Sequence, residues 1–236
     1  LDIDGATVSV GNIGLSTAKD EINGVDITGT TLVTLNGAIY TGGTGNTVDI
    51  TGSVSLATGD ILIDTITSDG AVTITGAVTG TQNLDILSGT GLTTITGNIG
   101  TGGTPLTSLD INNADTAGDT GGVTLGGNIG VGTTSGTTPG AGIVRLGNAN
   151  TTGAITLSGT VYNTSGAVTL DSSGGYSISG TTSDGTTAIS FTNLGDYDIH
   201  FLTWSNLSAT SAETNTTFRV SNDGGSSYVS SGYKHA

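Results

Sequence analysis

The chain has 236 residues with 42 Gly, 2 Pro and neither Cys nor Met, and 19 acidic residues against 4 Lys and Arg give a net charge of −15. Phosphate binding requires clustered cations, so this charge argues against nucleic acid and anionic membranes as partners. A chain without Cys has no disulfide and no thiolate zinc site, and no run of about 18 apolar residues predicts a membrane span. Sparse charge with many Thr and Ser favours an exported or virion-surface protein, and the missing Met predicts that an N-terminal piece is absent.

The first 187 residues are dominated by short apolar runs separated by Gly and Asn. We interpret residues 1–30 as an N-terminal β segment or cap. Self-similar units begin at residue 31 and recur six times up to residue 175. One such unit cannot bury its apolar side alone, so the repetition predicts stacked coils of a parallel β-solenoid over 31–187.

Each repeat carries two strand motifs and a glycine corner. In VTIT (72–75) and its equivalents the apolar and hydroxyl residues alternate, so one side of the strand faces inward and the other outward. The inward ladder is predicted to hold the following residues or their immediate neighbours: Val72, Ile95, Val123 and Leu157. A second wall is predicted from LDIL (84–87), LDIN (109–112) and IVRL (143–146). The additional segments 101–105, 115–122 and 130–142 are expected as loops on one edge.

The composition changes near residue 188, and eight of the ten aromatic residues lie from Tyr176 onward. Two longer strands, 197–204 and 216–223, read as neighbours in an antiparallel sheet. Aromatic side chains fill the wide interior of a sandwich, whereas a thin coil does not need them. We therefore expect residues 188–236 to be the start of an aromatic-rich, antiparallel, β-sandwich-like module.

Two parts of the chain resemble known families. The segment LDILSGTGLTTITGNIGTGGTPLTSLDI (84–111) is similar to the β-strand repeats of filamentous-haemagglutinin-like and autotransporter adhesins. The tail 189–236 resembles a module of bacteriophage structural proteins, in which a start of the FTNL type, a strand like YDIHF and the run RVSNDGGSSY follow in order. In that family the module continues well past the final Tyr, whereas this sequence ends there.

The phage resemblance implies a tail fibre or other virion appendage that assembles as a homotrimer and contacts other virion or surface proteins. Host-surface glycan would be its ligand, and it would lie on the virion surface or outside the cell. The binding candidates are Trp204, Tyr228 and Tyr233, or the loops 101–105 and 131–142, each of which also fits a core or spacer role. The repeats leave open an alternative, a secreted bacterial surface adhesin or extracellular filament subunit with a monomeric solenoid.

Catalytic motifs are weak, and we expect no enzyme. His200 and His235 have no Ser-and-acid arrangement of the triad type. Asp85 and Asp110 occupy comparable places in successive coils, as a pair of glycosidase carboxylates would. They also fill the small polar position of a repeated LDI phrase, which is the interpretation adopted here.

No cofactor is expected, and calcium is the one ion that the sequence raises. GGTGNTVDI (42–50) approaches the calcium-binding nonapeptide of β-solenoids, but Thr47 stands where that motif has Asp. The weak calcium candidates are Asp49, Asp115 and Asp119.

Overall fold

A computed structural model describes residues 1–17, 22–114, 118–131, 138–179, 181–182 and 189–192. All of them belong to one compact unit, Leu1–Gly195, and a second unit, Asp196–Ala236, lies outside the described residues. All the regular secondary structure in the described part is β-strand. The described residues therefore include no helix that could cross a membrane. The strands are β1 (Asp2–Val10), β2 (Val25–Leu35), β3 (Ile39–Tyr40), β4 (Val48–Thr51), β5 (Val54–Leu56), β6 (Ile61–Asp64), β7 (Val72–Ile74), β8 (Val78–Thr79), β9 (Asn83–Leu87), β10 (Thr93–Ile95), β11 (Leu106–Ile111), β12 (Val123–Leu125), β13 (Ala141–Gly147), β14 (Ile155–Leu157), β15 (Val161–Tyr162), β16 (Val168–Asp171), β17 (Tyr176–Ile178), β18 (Thr181–Thr182) and β19 (Ile189–Thr192).

These strands form a parallel β-solenoid of about 7 turns with three walls, which confirms the predicted solenoid. The first wall runs from the start of β1 through the start of β2, β4, β7, β10, β12 and β14 to β17. The second wall contains the ends of β1 and β2, then β5, β8, β15 and β18, with single bridges at Ile99 and Ile129. The third wall contains β3, β6, β9, β11, β13, β16 and β19. One turn takes between 20 and 35 residues, as the pairs Val161–Thr181 and Leu109–Val144 show, and advances the axis by about 4.8 Å.

The ladder begins before residue 31. Strand β1 pairs with β2 in parallel, with Asp2 opposite Asp26 and Val10 opposite Leu35. Strand β1 and the start of β2, within the segment 1–30 predicted as an N-terminal β segment or cap, therefore belong to the same ladder as the later repeats.

Aliphatic side chains stack in columns inside the walls, because parallel in-register pairing places equivalent positions above one another. The four residues predicted as one inward ladder are all buried, but they belong to two columns. Val72 and Val123 share a column through Thr93, whereas Ile95 and Leu157 share the next column through Leu125. The strands LDIL, LDIN and IVRL, which the sequence predicted to form another wall, are confirmed as part of the third wall. Leu84 pairs with Leu109, and Leu109 pairs with Val144.

The corner after the third wall is lined by buried hydroxyl and amide side chains, which the sequence reasoning missed. We call it the polar corner, formed by Thr41, Ser68, Ser88, Asn112, Asn148, Thr151 and Ser172. Asn112 Nδ2 donates to Ser88 Oγ at 2.9 Å, and Asn112 Oδ1 accepts from the backbone N–H of Ser88 at 2.8 Å. Asn148 Nδ2 then donates to the Asn112 carbonyl at 2.6 Å. These buried polar groups are thus paired between turns, which makes their burial tolerable.

The predicted loops do not share one edge. Residues 101–105 and the segment after Ile129 both connect the second wall to the third, and the latter is closed by an antiparallel bridge between Val131 and Thr138. Residues 115–122 instead connect the third wall to the next turn of the first wall. The expectation of a single edge is wrong because the repeat has three corners, and insertions occur at two of them. The predicted sandwich-like module lies almost entirely outside the described residues.

The corner between the first and second walls is a column of glycines, formed by Gly52, Gly76, Gly97, Gly127 and Gly159. A Cβ on Gly97 would overlap the carbonyl of Gly76, and a Cβ on Gly127 would overlap the carbonyl of Gly97. The backbones of successive turns approach so closely there that no side chain fits. This spacing explains the Gly that follows each first-wall strand.

We predict that Gly97→Ala lowers the free energy of unfolding by about 1–3 kcal/mol, because the added methyl must push two backbones apart. Urea unfolding followed by circular dichroism measures the change. Gly11→Ala is the matched control, since a Cβ there would have no heavy atom within 4 Å. Equal stability of the Gly97→Ala variant and the wild type would contradict the close approach.

Candidate functional site

The outward side of the third wall brings together the two carboxylates that the LDI phrase suggested. Asp85 and Asp110 are Cα partners in adjacent turns, and Arg145 occupies the same position one turn further on. Leu62 lies opposite Asp85 on the other side. Strand register alone therefore places an arginine beside two carboxylates, and we call these three residues the acid–arginine column.

Asp110 is the most firmly held member of this column. Arg145 Nε lies 2.5 Å from its Oδ1 and Arg145 Nη2 lies 2.8 Å from its Oδ2, a bidentate contact that matches guanidinium to carboxylate geometry. Ser108 Oγ donates to Asp110 Oδ2 at 2.9 Å. The Asp110 side chain is 11% exposed and that of Arg145 is 40% exposed, so the carboxylate is largely shielded from solvent whereas the guanidinium is not.

Asp85 has the opposite environment. Its pKa is raised above the usual value of 3.8, first by burial, then by the neighbouring Asp110 and Asp60 carboxylates and by a side-chain hydrogen bond with Asp110, while Arg145 partly offsets the shift. A carboxyl that shares a hydrogen bond with a carboxylate is stabilised in its protonated form. A protonated Asp85 is therefore suited to donate a hydrogen bond to Asp110.

The column lies in a shallow surface groove of about 360 Å³. The other residues lining it are Leu62, Leu87, Asn113 and Ala114. A retaining glycosidase needs its carboxyl groups about 5 Å apart on either side of the sugar bond. Asp85 and Asp110 are instead stacked neighbours on one wall, and Asp110 is already engaged by Arg145 and Ser108.

A polar network extends from this column across neighbouring turns. Ser108 Oγ also lies 3.0 Å from Asn83 Oδ1, and Asn83 Nδ2 donates to Asp60 Oδ1 at 2.9 Å. Four successive turns are linked in this way on the outside of the third wall. The arrangement can tie turns together and respond to pH, which is a structural role.

The two described calcium candidates, Asp49 and Asp119, lie in separate parts of the solenoid. Asp49 lies on the first wall in register with Asp26 and accepts a hydrogen bond from Thr47 Oγ1 at 2.7 Å. Asp119 is fully buried beside the polar corner, where its carbonyl accepts from Thr151 Oγ1 at 3.2 Å. Asp115 lies outside the described residues. Within the part of the chain that is described, no three acidic or histidine side chains converge as metal ligands.

The aromatic binding candidates Trp204, Tyr228 and Tyr233 lie outside the described residues, as do both histidines. Of the loop candidates, residues 102–104 are exposed, and Gly102 and Gly103 have positive φ with open space around them. Only the two ends of 131–142 are described, and they leave the same corner as 101–105.

Comparisons with protein-family models, with curated proteins and with solved structures found no match to this chain. Its function must therefore be argued from its own residues.

We predict that Asp85→Asn stabilises the protein at neutral pH. Because the pKa of Asp85 is raised by folding, its stabilising contribution is complete below the unfolded pKa and is lost as pH rises through the folded pKa. An amide at this position keeps a donor to Asp110 and has no charge to lose.

Urea midpoints measured at neutral pH and below pH 3.8 test this prediction, and the advantage of the variant should shrink at the lower pH. Asp4→Asn, which removes one negative charge at an exposed position, is the control for net charge. A variant that is less stable than the wild type at neutral pH would show that the Asp85 charge is favourable in the folded state.

Proposed function

We propose that this chain is a non-enzymatic structural and adhesive segment of a bacteriophage tail fibre or other virion appendage, which holds a host-recognition surface away from the particle. The observation that carries the proposal is the parallel ladder, continuous on the first wall from Asp2 to Ile178. Each turn is hydrogen-bonded to the next over its length, so bending the stack means breaking several bonds at once. Such a ladder suits a rigid spacer.

The interior supports a spacer role because it is filled rather than hollow. Ile27, Ile50, Ile74, Ile95 and Leu125 stack in one column and are completely buried. Small-molecule and substrate sites are typically concave and apolar. Here the apolar surface is consumed by contacts between turns.

Recognition is assigned to the ends and edges of the solenoid. The loop 101–105 and the described ends of 131–142 both lie at the corner between the second and third walls, in adjacent turns. Trp204, Tyr228 and Tyr233 are the aromatic candidates, and they rest on the phage resemblance alone. Host-surface glycan is the proposed ligand, and the virion surface is the proposed location.

A secreted bacterial adhesin or extracellular filament subunit is the second candidate, and one observation favours it. The buried core from Val8 to Leu170 is closed by contacts within a single chain. A solenoid that completes its own core can fold without sister chains. A monomeric adhesin must be able to fold in this way.

Light scattering coupled to size exclusion, with and without a chelator, tests the proposal. The virion-fibre proposal predicts a molar mass three times the 23.0 kDa of the chain. A monomer would contradict the trimeric fibre and favour the adhesin. A mass or elution volume that changes with the chelator would contradict the expectation of no cofactor and favour bound calcium.

A further inference from the structure

The outward side of the first wall repeats hydroxyl side chains in two parallel columns. In-register partners form the first column: Thr73, Thr94, Thr124, Thr156 and Ser177. Two residues further along each strand lies the second column: Thr75, Thr96, Ser158 and Ser179, with Gly126 between Thr96 and Ser158. We call these two columns the threonine face.

The second column is held in place by the backbone. Thr96 Oγ1 donates to the Thr75 carbonyl at 2.9 Å, and Ser179 Oγ donates to the Leu157 carbonyl at 3.4 Å. Fixed side chains turn a row of residues into a regular lattice. In the first column, Thr73, Thr94 and Thr124 are partly exposed and alternate with buried neighbours, so their side chains point outward.

The lattice has two regular repeats. Adjacent turns are about 4.8 Å apart, and positions two residues apart along a strand are separated by about 6.7 Å. Oxygen atoms on the prism faces of hexagonal ice repeat at similar distances in two perpendicular directions. Liquid water and flexible polymers have no such fixed repeat, so a rigid two-dimensional hydroxyl array is best matched by an ordered water surface.

Charge and area point to the same occupant. No charged side chain projects from the threonine face, although the chain as a whole carries −15; the acidic members of the first column, Asp2, Asp26 and Asp49, precede it. An uncharged face complements the uncharged surface of ice. The face measures roughly 130 Å² from its strand spacings, well below the ~800 Å² that each partner buries in a stable protein interface, which disfavours a second copy of the chain.

We propose that the threonine face binds ice, with the threonine methyl groups packing against the lattice and the hydroxyls hydrogen-bonding to its water. This activity is additional to the fibre role and independent of it. It requires only the solenoid, whose turns set the repeat.

The test uses the full chain with a fluorescent label in two assays, adsorption to a growing ice surface and inhibition of ice recrystallisation. The wild type should adsorb and should keep ice grains small. Thr94→Lys combined with Thr124→Lys introduces two charges at the centre of the face, and this variant should lose both effects. Thr34→Lys combined with Ser55→Lys makes the same change on the outside of the second wall, where the two residues are Cα partners, and it should retain both.

Circular dichroism and urea midpoints establish that both variants fold. If the Thr94 and Thr124 variant does not fold, Thr94→Val alone is used, which keeps the shape but removes a hydroxyl and should weaken adsorption. A wild type that is excluded from ice would overturn the proposal. Equal losses in the second-wall variant and the threonine-face variant would overturn it too, because the effect would then follow charge and not position. A monomer or trimer result in light scattering has no bearing on either outcome.

Discussion

Parallel, in-register hydrogen bonding between successive turns is the constraint on which the whole structure depends. It holds although one turn takes 21 residues and another takes 32. Every other regularity follows from it, since stacking equivalent positions at about 4.8 Å turns each sequence position into a column. Apolar columns become the core, glycine columns become a tight corner and hydroxyl columns become a surface lattice.

The same constraint has a cost where the stacked side chains are charged. Like charges directly above one another repel, and Asp85 and Asp110 are such a pair. The third wall reduces the repulsion by two means, the Arg145 guanidinium on Asp110 and a raised pKa at Asp85. The acid–arginine column is thus better explained as a solution to a stacking problem than as a reaction centre. A spacer built from one ladder, with variation confined to corners and outward positions, is consistent with the proposed fibre role.

The sequence predicted the solenoid and its third-wall strands because similar units recur and the Leu-Asp-Ile alternation of LDIL returns in LDIN. It did not separate the two inward columns, because Thr93 breaks the apolar pattern while occupying a buried position. The polar corner was missed since Ser88 and Asn112 look like ordinary turn residues, and only the fold shows that they are buried against each other. The contact between Arg145 and Asp110 was also beyond sequence reasoning, because 35 residues separate them and the intervening loop lengths differ.

Distances between paired spin labels test the stacking most directly, because a chain without Cys allows labels to be attached at engineered cysteines alone. With one label fixed at position 26, the second is moved through positions 94, 124, 156 and 177, which follow one column turn by turn. Stacking predicts distances of about 14, 19, 24 and 29 Å, with equal steps for short and long turns. Steps that grow with the number of residues in each turn would contradict the in-register ladder.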